Sequence, residues 1–390
     1  MKSKSIYRVL FIVGAFVIGY AIVYLMSIAG DKSKGPLESM LSSAEEGIVN
    51  LENSLLIEDR VAQRKEKLKW FEPYRKNINK LKHPDKILIG ASDASQTESY
   101  ENIINLEDSL ETTFPIIHIY NAWGSKPEEQ FPALAVKTIL GMGSTPMITW
   151  EPWLSDFDAV NYPTIPEDIT KRDKEGVLSI AEGNYDQYIR KYAKEVKKIG
   201  EPIMIRFAHE MNDPYRYPWG PQNNKPEDFV IAWQHVHDIF EEEGATNVVW
   251  IWSPHPSYEY FEAFYPGEEY VDYVALGVLN FGTSASWSQW WSFDDLLGNG
   301  YDVLKQFNKP IMIAEFGSLN VGGDRGEWFA DALKDLPSKY PQVKSIVYFH
   351  YPVDKTLTDK QISWYFINDS DVLDSIKTSI KSWADSLQMK

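Results

Sequence analysis

The chain has 390 residues and no cysteine, so a disulfide framework and lipoprotein attachment are both excluded. Its 39 Lys and Arg against 56 Asp and Glu give a formal net charge of −17, an excess that repels nucleic acid and anionic surfaces. The 14 Trp, 22 Tyr and 18 Phe are more aromatic side chains than a core of this size requires, and flat aromatic faces suit the apolar faces of sugar rings.

The first 30 residues predict a membrane anchor or a signal segment. Lys2, Lys4 and Arg8 precede a run over residues 9–29 that holds no charged side chain, and about 20 apolar residues span a bilayer. Because a basic flank stays in the cytoplasm, we expect a single-pass protein of the cell membrane whose main part lies outside the cytoplasm. The small residues that end at Ala29 match a cleavage site, so a cleaved signal peptide and a secreted protein form the alternative.

Residues 31–84 are predicted to be a linker followed by a helical stalk. The opening from Asp31 to Pro36 is typical of a linker, and the stretch that follows through Leu81 is charged with scattered apolar positions. An apolar heptad does not continue for three or four repeats, which disfavours a coiled coil. We expect one or two helices that form a stalk or lean on the domain that follows.

Residues 85–390 alternate apolar runs with segments of helical length. Turn signals bound each run, which is typical of buried strands in a parallel sheet. The runs lie at residues 86–93, 114–123, 145–153, 201–212, 247–256, 271–280, 309–318 and 343–352. Eight repeats over about 270 residues fit an α/β fold of the closed (β/α)8 TIM barrel type, which typically takes around 250 residues. The first run is not followed by a Gly-x-Gly-x-x-Gly turn, which disfavours a dinucleotide-binding sheet.

The predicted strands end in polar and aromatic side chains. In a (β/α)8 barrel the active site forms at the carboxyl ends of the strands, so these side chains are candidates for function. They are Asp93, Trp123, Glu151, Trp153, His209, Glu210, Asn212, Trp252, His255, Asn280, Glu315 and His350. One polar residue at a strand end is more often a cap or turn group, but eight strands that end alike indicate a carbohydrate-type catalytic cleft. The acidic charge favours a neutral glycan as its substrate.

Glu210 and Glu315 are the two carboxylates that glycoside hydrolysis requires. One must protonate the leaving oxygen while the other attacks the anomeric carbon, at a spacing of about 5 to 5.5 Å in a retaining enzyme. Strand periodicity puts Glu210 on the face of Arg206 if no bulge intervenes, and Glu315 on the face of Ile313. An arginine in a barrel interior needs a carboxylate partner, so we expect Arg206 to hold Glu315 ionised. Burial and this negative charge are expected to keep Glu210 protonated.

The segment from Arg206 to Gly220, which contains His-Glu-Met-Asn, resembles the strand-4 signature of glycoside hydrolase family 26. The strand-3 ending Ile148-Thr-Trp-Glu-Pro-Trp and the strand-7 ending Ile313-Ala-Glu-Phe-Gly resemble that family too. Members include β-mannanases and mixed-linkage β-glucanases, and the similarity covers roughly residues 85–370. The resemblance implies an endo-acting, retaining hydrolase of a β-linked polysaccharide, of the β-mannan or β-1,3-1,4-glucan type or an exopolysaccharide.

By this resemblance Glu210 is the general acid/base and Glu315 is the nucleophile. Substrate-binding residues are expected at Arg206, His209, Trp219, Glu151, Trp153, Asn280 and Trp123, with Trp219 as a platform for the sugar. Family members commonly have a glycine where this chain has Asp213. They also present a tyrosine that touches the nucleophile at strand six, where this chain has Leu279 or Asn280.

The two-carboxylate mechanism needs neither a cofactor nor a metal, and we expect none in catalysis. A polysaccharide is the expected partner, with a membrane contact through the N-terminal segment and a monomeric catalytic domain. Two alternatives stay open. One is a non-catalytic glycan-binding barrel in polysaccharide export or adhesion, and the other is a barrel enzyme of another class, such as a transglycosidase or a lyase.

Overall fold

A computed structural model describes residues 60–94, 99–356 and 358–388, together with Gly19. Within these residues, eight parallel strands close into a barrel in chain order. The strands are β1 (Leu88–Asp93), β2 (Ile116–Ala122), β3 (Thr145–Glu151), β4 (Ile203–Phe207), β5 (Val248–Trp252), β6 (Tyr273–Asn280), β7 (Ile311–Ser318) and β8 (Val343–His350). The barrel closes where β8 pairs with β1. The (β/α)8 barrel predicted from the sequence is confirmed.

Helices connect the strands and pack around the barrel. They are α1 (Glu72–Arg75), α2 (Ile78–Lys82), α3 (Glu101–Leu110), α4 (Ala133–Gly141), α5 (Ile169–Arg172), α6 (Gly176–Ala181), α7 (Asp186–Ile199), α8 (Pro226–Glu243), α9 (Phe293–Leu304), α10 (Arg325–Lys334), α11 (Leu336–Lys339) and α12 (Ser370–Gln388). Short 3-10 turns lie at Pro127–Glu129, Leu154–Asp156, Phe261–Phe264, Glu268–Tyr270, Gly282–Ser284 and Lys305–Phe307, and a small antiparallel pair joins β9 (Asp354–Lys355) to β10 (Gln361–Ile362). In α7 the buried side chains recur every three or four residues, as in an amphipathic helix, and the helix ends at Gly200 in the left-handed conformation.

The strand side chains alternate between the barrel interior and the layer under the helices. Met204 and Met312 belong to the interior cluster, whereas the preceding Ile203 and Ile311 pack in the cluster shared with the helices. Both faces of a parallel sheet in this fold are covered. This double burial explains why the strands appear in the sequence as continuous apolar runs.

Residues 60–82 close the amino-terminal end of the barrel. Phe71 and Leu81 are fully buried in the interior cluster, and each such side chain contributes about 1.5–3 kcal/mol to folding. Tyr273 at the start of β6 donates a hydrogen bond from its hydroxyl to the carbonyl of Leu81 at 2.7 Å. The described part of the predicted stalk therefore leans on the barrel. The remainder, residues 31–59, lies outside the described residues.

A buried ion pair fastens this segment to α3. Arg64 donates from Nε to Oε2 of Glu107 at 2.8 Å and from Nη2 to Oε1 at 2.6 Å, and both side chains are 5% exposed. Nη1 of Arg64 donates to the carbonyl of Met142 at 2.6 Å. The amide of Phe114 donates to Oε1 of Glu107 at 2.8 Å. Both oxygens of this carboxylate are therefore occupied.

No helix in the described ranges combines the length and the apolar character that a membrane crossing requires. The predicted anchor or signal segment, residues 1–30, lies outside the described residues except for Gly19. It stays a prediction.

Candidate active site

Glu315 in β7 is held by one arginine and one tyrosine. Arg206 donates from Nη2 to Oε1 of Glu315 at 2.6 Å, and the hydroxyl of Tyr120 donates to the same oxygen at 2.7 Å. From the residues that the structure describes, no hydrogen bond reaches Oε2. The carboxylate has one oxygen fixed and the other free, which suits a nucleophile. The predicted pairing of Arg206 with Glu315 is confirmed.

A register shift in β7 turns Glu315 toward the barrel interior. Ala314 faces the interior and Ile313 faces the helices, so uninterrupted alternation would send Glu315 outward. The pairing of β7 with β8 shifts between Ile313 and Phe316, and a bulge re-aims the side chains next to it. The expectation that Glu315 shares a face with Ile313 was wrong, because the bulge lies between them.

Arg206 is buried and belongs to a chain of polar side chains. Its Nε donates to Oγ1 of Thr149 at 2.8 Å, and the same hydroxyl lies 2.7 Å from Nε2 of His118. Because the Thr149 oxygen already accepts from Arg206, its proton is available to His118. Burial, and then the charge of Arg206, hold the pKa of His118 well below its usual value, so this imidazole is neutral. The chain fixes the guanidinium in front of Glu315.

The strand that was expected to carry Glu210 ends before that residue. β4 stops at Phe207, and the next residues form a tight turn in which Ala208 and Glu210 have φ values of 42° and 54°. Left-handed backbone at residues other than glycine stores strain and is concentrated at functional sites. The amide of Glu210 donates to the carbonyl of Ser253 at 2.7 Å, which ties the turn to the loop after β5. The prediction that strand periodicity places Glu210 on the face of Arg206 was wrong, and the turn directs its carboxyl group instead.

The two carboxyl groups face the same space above Gly277. A Cβ atom on Gly277 would lie 3.9 Å from Oε1 of Glu210 and 4.0 Å from Oε2 of Glu315. These oxygens are therefore no more than about 8 Å apart, a range that includes the roughly 5 to 5.5 Å of retaining enzymes. A longer side chain in place of Gly277 would project between them. The glycine leaves this space open to a sugar.

Burial and charge give the two carboxyl groups opposite protonation states. Burial, and then the negative charge of Glu315, raise the pKa of Glu210 well above its usual value. Oε2 of Glu210 is buried without a hydrogen-bond partner among the described residues. Burial also acts to raise the pKa of Glu315, but the charge and hydrogen bond of Arg206, with that of Tyr120, outweigh it, and this pKa is lowered. At neutral pH the site holds one acid and one carboxylate.

His209, Tyr217 and Trp219 form a packed layer next to Glu210. The hydroxyl of Tyr217 lies 3.0 Å from Nε2 of His209, and Nε1 of Trp219 donates to the carbonyl of His209 at 2.7 Å. The rings of Tyr217 and Trp219 are stacked with their centroids 4.6 Å apart. Burial, and then the charge of Arg206, lower the pKa of His209. The layer is neutral and buried, and Trp219 is 3% exposed, so its role as a sugar platform stays a prediction.

Glu151 and Trp153 follow β3 on the same side of the site. Nε1 of Trp153 donates to Oε2 of Glu151 at 3.1 Å, and Oε1 of Glu151 lies 3.9 Å from Nδ1 of His209. The ring of Trp153 meets that of Trp219 edge-on at 5.3 Å. Both Glu151 and Trp153 are half-buried. Their exposed atoms make them available to a bound sugar.

Two of the predicted substrate contacts lie in the protein interior. Trp123 is 0% exposed and packs against Trp150 with the ring centroids 4.5 Å apart. Asn280 is also 0% exposed, donates to Oγ of Ser318 at 3.2 Å and accepts from the amide of Gly282 at 3.1 Å. The prediction that these two side chains contact substrate stays a prediction, and neither side chain reaches the surface in this structure. A position at a strand end does not by itself distinguish the cleft from the core or from a turn.

Tyr120 was not predicted from the sequence as a residue of the site. In β2, His118 and Tyr120 alternate with Ile117 and Ile119, and two polar side chains on one face of an apolar strand are the signal that would have found them. The tyrosine that the resemblance places at the carboxyl end of strand six has no counterpart there, because β6 ends in Leu279 and Asn280 and its Tyr273 lies at the opposite end. The phenol of Tyr120, from β2, contacts Glu315 in this chain.

Asn212 connects the loops that follow β4 and β5. Its side chain donates to the carbonyls of His255 at 3.1 Å and Tyr258 at 3.0 Å, and accepts from the amide of His255 at 2.7 Å. Among the described residues, Glu210, Asp213 and His255 form the group with metal-binding geometry, since they offer ligand atoms within 4.8 Å of one another. A cation there would compete with the proton on Glu210. The expectation that catalysis uses no metal stays a prediction.

A closed (β/α)8 barrel that presents an acid and a carboxylate in one cleft has the architecture of the two-carboxylate glycoside hydrolases. The model of Glycosyl hydrolase family 26 matches residues 145–299. Among solved structures, a GH26 β-mannanase from Bacteroides ovatus has a TM-score of 0.55 at 16% identity over 87% of this chain and 93% of that chain. GH26C from Muricauda sp. MAR_2010_75 has a TM-score of 0.56 at 15% identity over 86% of this chain and 90% of that chain. These two structures share the fold.

Sequence relatives agree with this family. Endoglucanase H of Acetivibrio thermocellus is 33% identical over 247 residues, which are 61% of this chain and 24% of that protein. A mannan endo-1,4-beta-mannosidase of Bacillus subtilis strain 168 is 29% identical over 165 residues, which are 40% of each. The chain thus spans less than half the length of the curated relatives it matches. Over residues 145–299 the chain therefore matches glycosyl hydrolase family 26.

Proposed function

We propose that the protein is a retaining endo-β-glycanase that hydrolyses a β-linked polysaccharide of the β-mannan or β-1,3-1,4-glucan type. The observation that carries this proposal is the contrast between Glu315, whose Oε1 is fixed by Arg206 and Tyr120, and Glu210, which burial keeps protonated. A fixed nucleophile and an acid in one cleft are what a double displacement requires. The names of the sequence relatives, an endoglucanase and a mannan endo-1,4-beta-mannosidase, support an endo-acting enzyme on such backbones.

In the first step, Oε2 of Glu315 forms a bond to the anomeric carbon while the bond from that carbon to the leaving oxygen breaks. Glu210 donates its proton to the leaving oxygen, so the departing sugar is a neutral alcohol. Arg206 and Tyr120 hold Oε1, which keeps Oε2 aimed at the substrate. They also stabilise the carboxylate until it attacks.

In the second step, Glu210 acts as a base. The covalent intermediate has no negative charge on Glu315, and that charge is one of the causes that raise the pKa of Glu210. The pKa of Glu210 therefore falls, and the ionised carboxylate takes a proton from water. The water oxygen bonds to the anomeric carbon and displaces Glu315, so the configuration of that carbon is retained.

Glu151 and Trp153 are proposed to bind the sugar at the reaction centre. Both are half-buried next to His209, and the hydrogen bond between them fixes the indole ring. An indole edge or face offers an apolar surface to a sugar ring, while the carboxylate accepts hydrogen bonds from its hydroxyls. Trp219 supports Trp153 from behind.

We propose that residues 1–30 anchor the protein in the cell membrane, with the barrel outside the cytoplasm, and that the barrel acts as a monomer. The charge-free run over residues 9–29 and its basic flank support the anchor. Fractionation of cells that express the full chain would test the location. Recovery of a shortened chain from the medium would favour cleavage and secretion.

The activity is tested by incubating the purified protein with mannans, mixed-linkage glucans and exopolysaccharides. We expect a rapid fall in viscosity, as internal bonds are cut, and products whose new reducing ends form first as the β anomer in NMR spectra. Initial formation of the α anomer would contradict the retaining mechanism. Binding of a polysaccharide without cleavage would favour a non-catalytic glycan-binding barrel, and unsaturated products would favour a lyase.

The roles of the two glutamates are tested with an aryl β-glycoside that carries a good leaving group. Glu315→Ala should abolish turnover, because the attacking group is gone. Glu210→Ala should still form the covalent intermediate and break it down slowly, and azide should speed that step because it attacks without a base. Azide rescue of Glu315→Ala with a product of retained configuration would reverse the assignment.

A further inference from the structure

Arg216, at the edge of the active site, forms no ion pair and donates no hydrogen bond to any residue that the structure describes. It lies in the loop between β4 and α8, is exposed, and its Cζ is 5.3 Å from the centroid of the Tyr217 ring. Tyr217 contacts His209, the neighbour of Glu210 in the chain. Every other arginine in the described ranges donates a hydrogen bond to a carboxylate or a carbonyl, as Arg64, Arg75 and Arg172 do. The other members of that set are Arg60, Arg190, Arg206 and Arg325.

The charge of Arg216 reaches the reacting groups. It acts to lower the pKa of Glu210, of Glu315 and of Glu151, and it opposes a positive charge on His255. A lower pKa at Glu210 works against an acid that must hold its proton at neutral pH. A free cation at this position is therefore unfavourable for the first chemical step unless a substrate group neutralises it.

We propose that Arg216 binds an anionic substituent, of the carboxylate class found in uronic acids and pyruvate ketals, on a sugar next to the bond that is cut. This inference rests on the proposed function and names a class of substrate for it. The guanidinium offers a planar pair of donors that matches a carboxylate, and its stacking on Tyr217 limits its orientations. Because no carboxylate of the described residues pairs with Arg216, these two donors are available to a ligand.

The net charge of −17 favours a neutral glycan at long range. Salt screens such long-range repulsion beyond about 10 Å at 0.1 M ionic strength. Within the cleft the nearest charges determine whether a carboxylate binds. Arg206 is already neutralised there by its contact with Glu315. The positive charge of Arg216 is not paired with a carboxylate of the described residues, so it is available to a carboxylate of the substrate.

The test compares, for each of two polysaccharides, a neutral form with a form that carries carboxylates. A neutral mixed-linkage β-glucan and a β-mannan are each oxidised in part at C6 to uronate, and each untreated polymer is the control. Binding is measured by affinity electrophoresis with the full-length Glu315→Gln protein, so that no turnover is needed. A second protein carries Arg216→Gln as well, and a third carries Lys69→Gln, which removes one exposed positive charge at the opposite end of the barrel.

We expect the Glu315→Gln protein to bind an oxidised polymer about tenfold more tightly than its parent, as a charge-assisted hydrogen bond of roughly 1.5 kcal/mol would give. Added Arg216→Gln should remove this preference without weakening binding of the neutral parent, and Lys69→Gln should leave it intact. Equal binding of both forms, no binding of either, or a preference that survives Arg216→Gln would overturn the proposal. Cleavage of the neutral polymers by the wild-type protein would still support the hydrolase, so the two proposals fail separately.

Discussion

Two buried arginine–glutamate pairs among the described residues differ in how many oxygens of the carboxylate accept hydrogen bonds. In the pair at the amino-terminal end, Arg64 engages both oxygens of Glu107, and a backbone amide donates to one of them as well. In the pair at the carboxyl end, Arg206 engages only Oε1 of Glu315. The first carboxylate has no oxygen left for chemistry, whereas the second keeps Oε2 free. A buried ion pair becomes a reactive site when one lone-pair position is left open to the substrate.

The surroundings of the two pairs follow the same division. Arg64 lies in the segment that closes the barrel, and besides Glu107 in α3 it binds the backbone carbonyl of Met142. Arg206 donates to the hydroxyl of Thr149 in β3 and to that of Tyr120 in β2. The Arg64–Glu107 pair, in which both carboxylate oxygens accept hydrogen bonds, fixes the closing segment on α3. The Arg206–Glu315 pair, in which only Oε1 is held, orients the carboxylate for attack.

Removal of Arg206 should produce the largest effect on activity. Arg206→Ala leaves Glu315 buried without its cation, so the pKa of Glu315 should rise and the nucleophile should be protonated over more of the pH range. We expect kcat to fall by about 100-fold or more, as for loss of a preorganised electrostatic contact. Steady-state kinetics on the best polysaccharide would measure this.

Arg206→Lys separates this effect from loss of the fold. Lysine keeps the charge but not the planar donors that reach Thr149 and Glu315 together, so activity should be intermediate while thermal unfolding stays close to that of the wild type. Near-full turnover of a folded Arg206→Ala protein would show that Arg206 does not support the nucleophile.

Removal of Arg64 should affect stability instead of catalysis. Arg64→Ala leaves Glu107 buried and unpaired, which costs about 3–5 kcal/mol of unfolding free energy. Urea unfolding should show this loss, while kcat and KM of the folded fraction stay within about twofold of the wild type. A large fall in kcat without a loss of stability would remove the distinction between the two pairs.

Tyr120→Phe should weaken the reactive pair without breaking it. The substitution removes one hydrogen bond to the charged Oε1 of Glu315, a contact of about 1.5–3 kcal/mol, so we expect kcat to fall by about tenfold or more. The lowered pKa of Glu315 places the acid side of the pH–activity profile. Because its pKa should rise in the variant, that side should move to higher pH. An unchanged acid side would exclude this role for Tyr120.

The two glutamates of the candidate site could be predicted from the sequence, because Glu210 and Glu315 follow apolar runs at strands 4 and 7. The sequence did not predict how they reach the cleft. Glu315 is turned inward by a bulge and Glu210 by a turn with positive φ, and neither feature has a local signal such as a glycine at the residue itself. Periodicity gives the face of a regular strand and fails where the strand is irregular.

Aromatic residues at strand ends were the least predictable. Trp123 and Trp153 both follow strands, yet Trp123 is enclosed by other rings while Trp153 is half-exposed beside the cleft. Large apolar side chains suit either place, and packing by distant helices decides between them. The closing segment at residues 60–82 was equally ambiguous, because charged residues with scattered apolar positions are compatible with a stalk and with a barrel cap.

Replacement of a buried glutamate by glutamine should have opposite effects on stability at Glu210, which lies beside the Arg206–Glu315 pair, and at Glu107, the partner of Arg64. Burial raises the pKa of Glu210 in the folded protein, so the folded state holds that proton more tightly than the unfolded state does. Above the unfolded pKa, stability is therefore lost as the pH rises toward the folded value. Glu210→Gln removes this cost, and we expect a gain of about 1 kcal/mol at pH 7 that vanishes near pH 4, together with loss of activity on polysaccharides.

Glu107→Gln is the matched control, because it breaks a saturated contact with Arg64 and should lower stability at pH 7. Thermal unfolding of both variants at pH 4 and pH 7 gives the comparison. Because the folded protein keeps Glu210 protonated at the expense of stability above the unfolded pKa, only Glu210→Gln should gain stability relative to the wild type as the pH is raised. Destabilisation by Glu210→Gln at pH 7 would mean that the buried acid makes contacts that favour folding, and the division between a structural pair and a reactive site would not extend to Glu210.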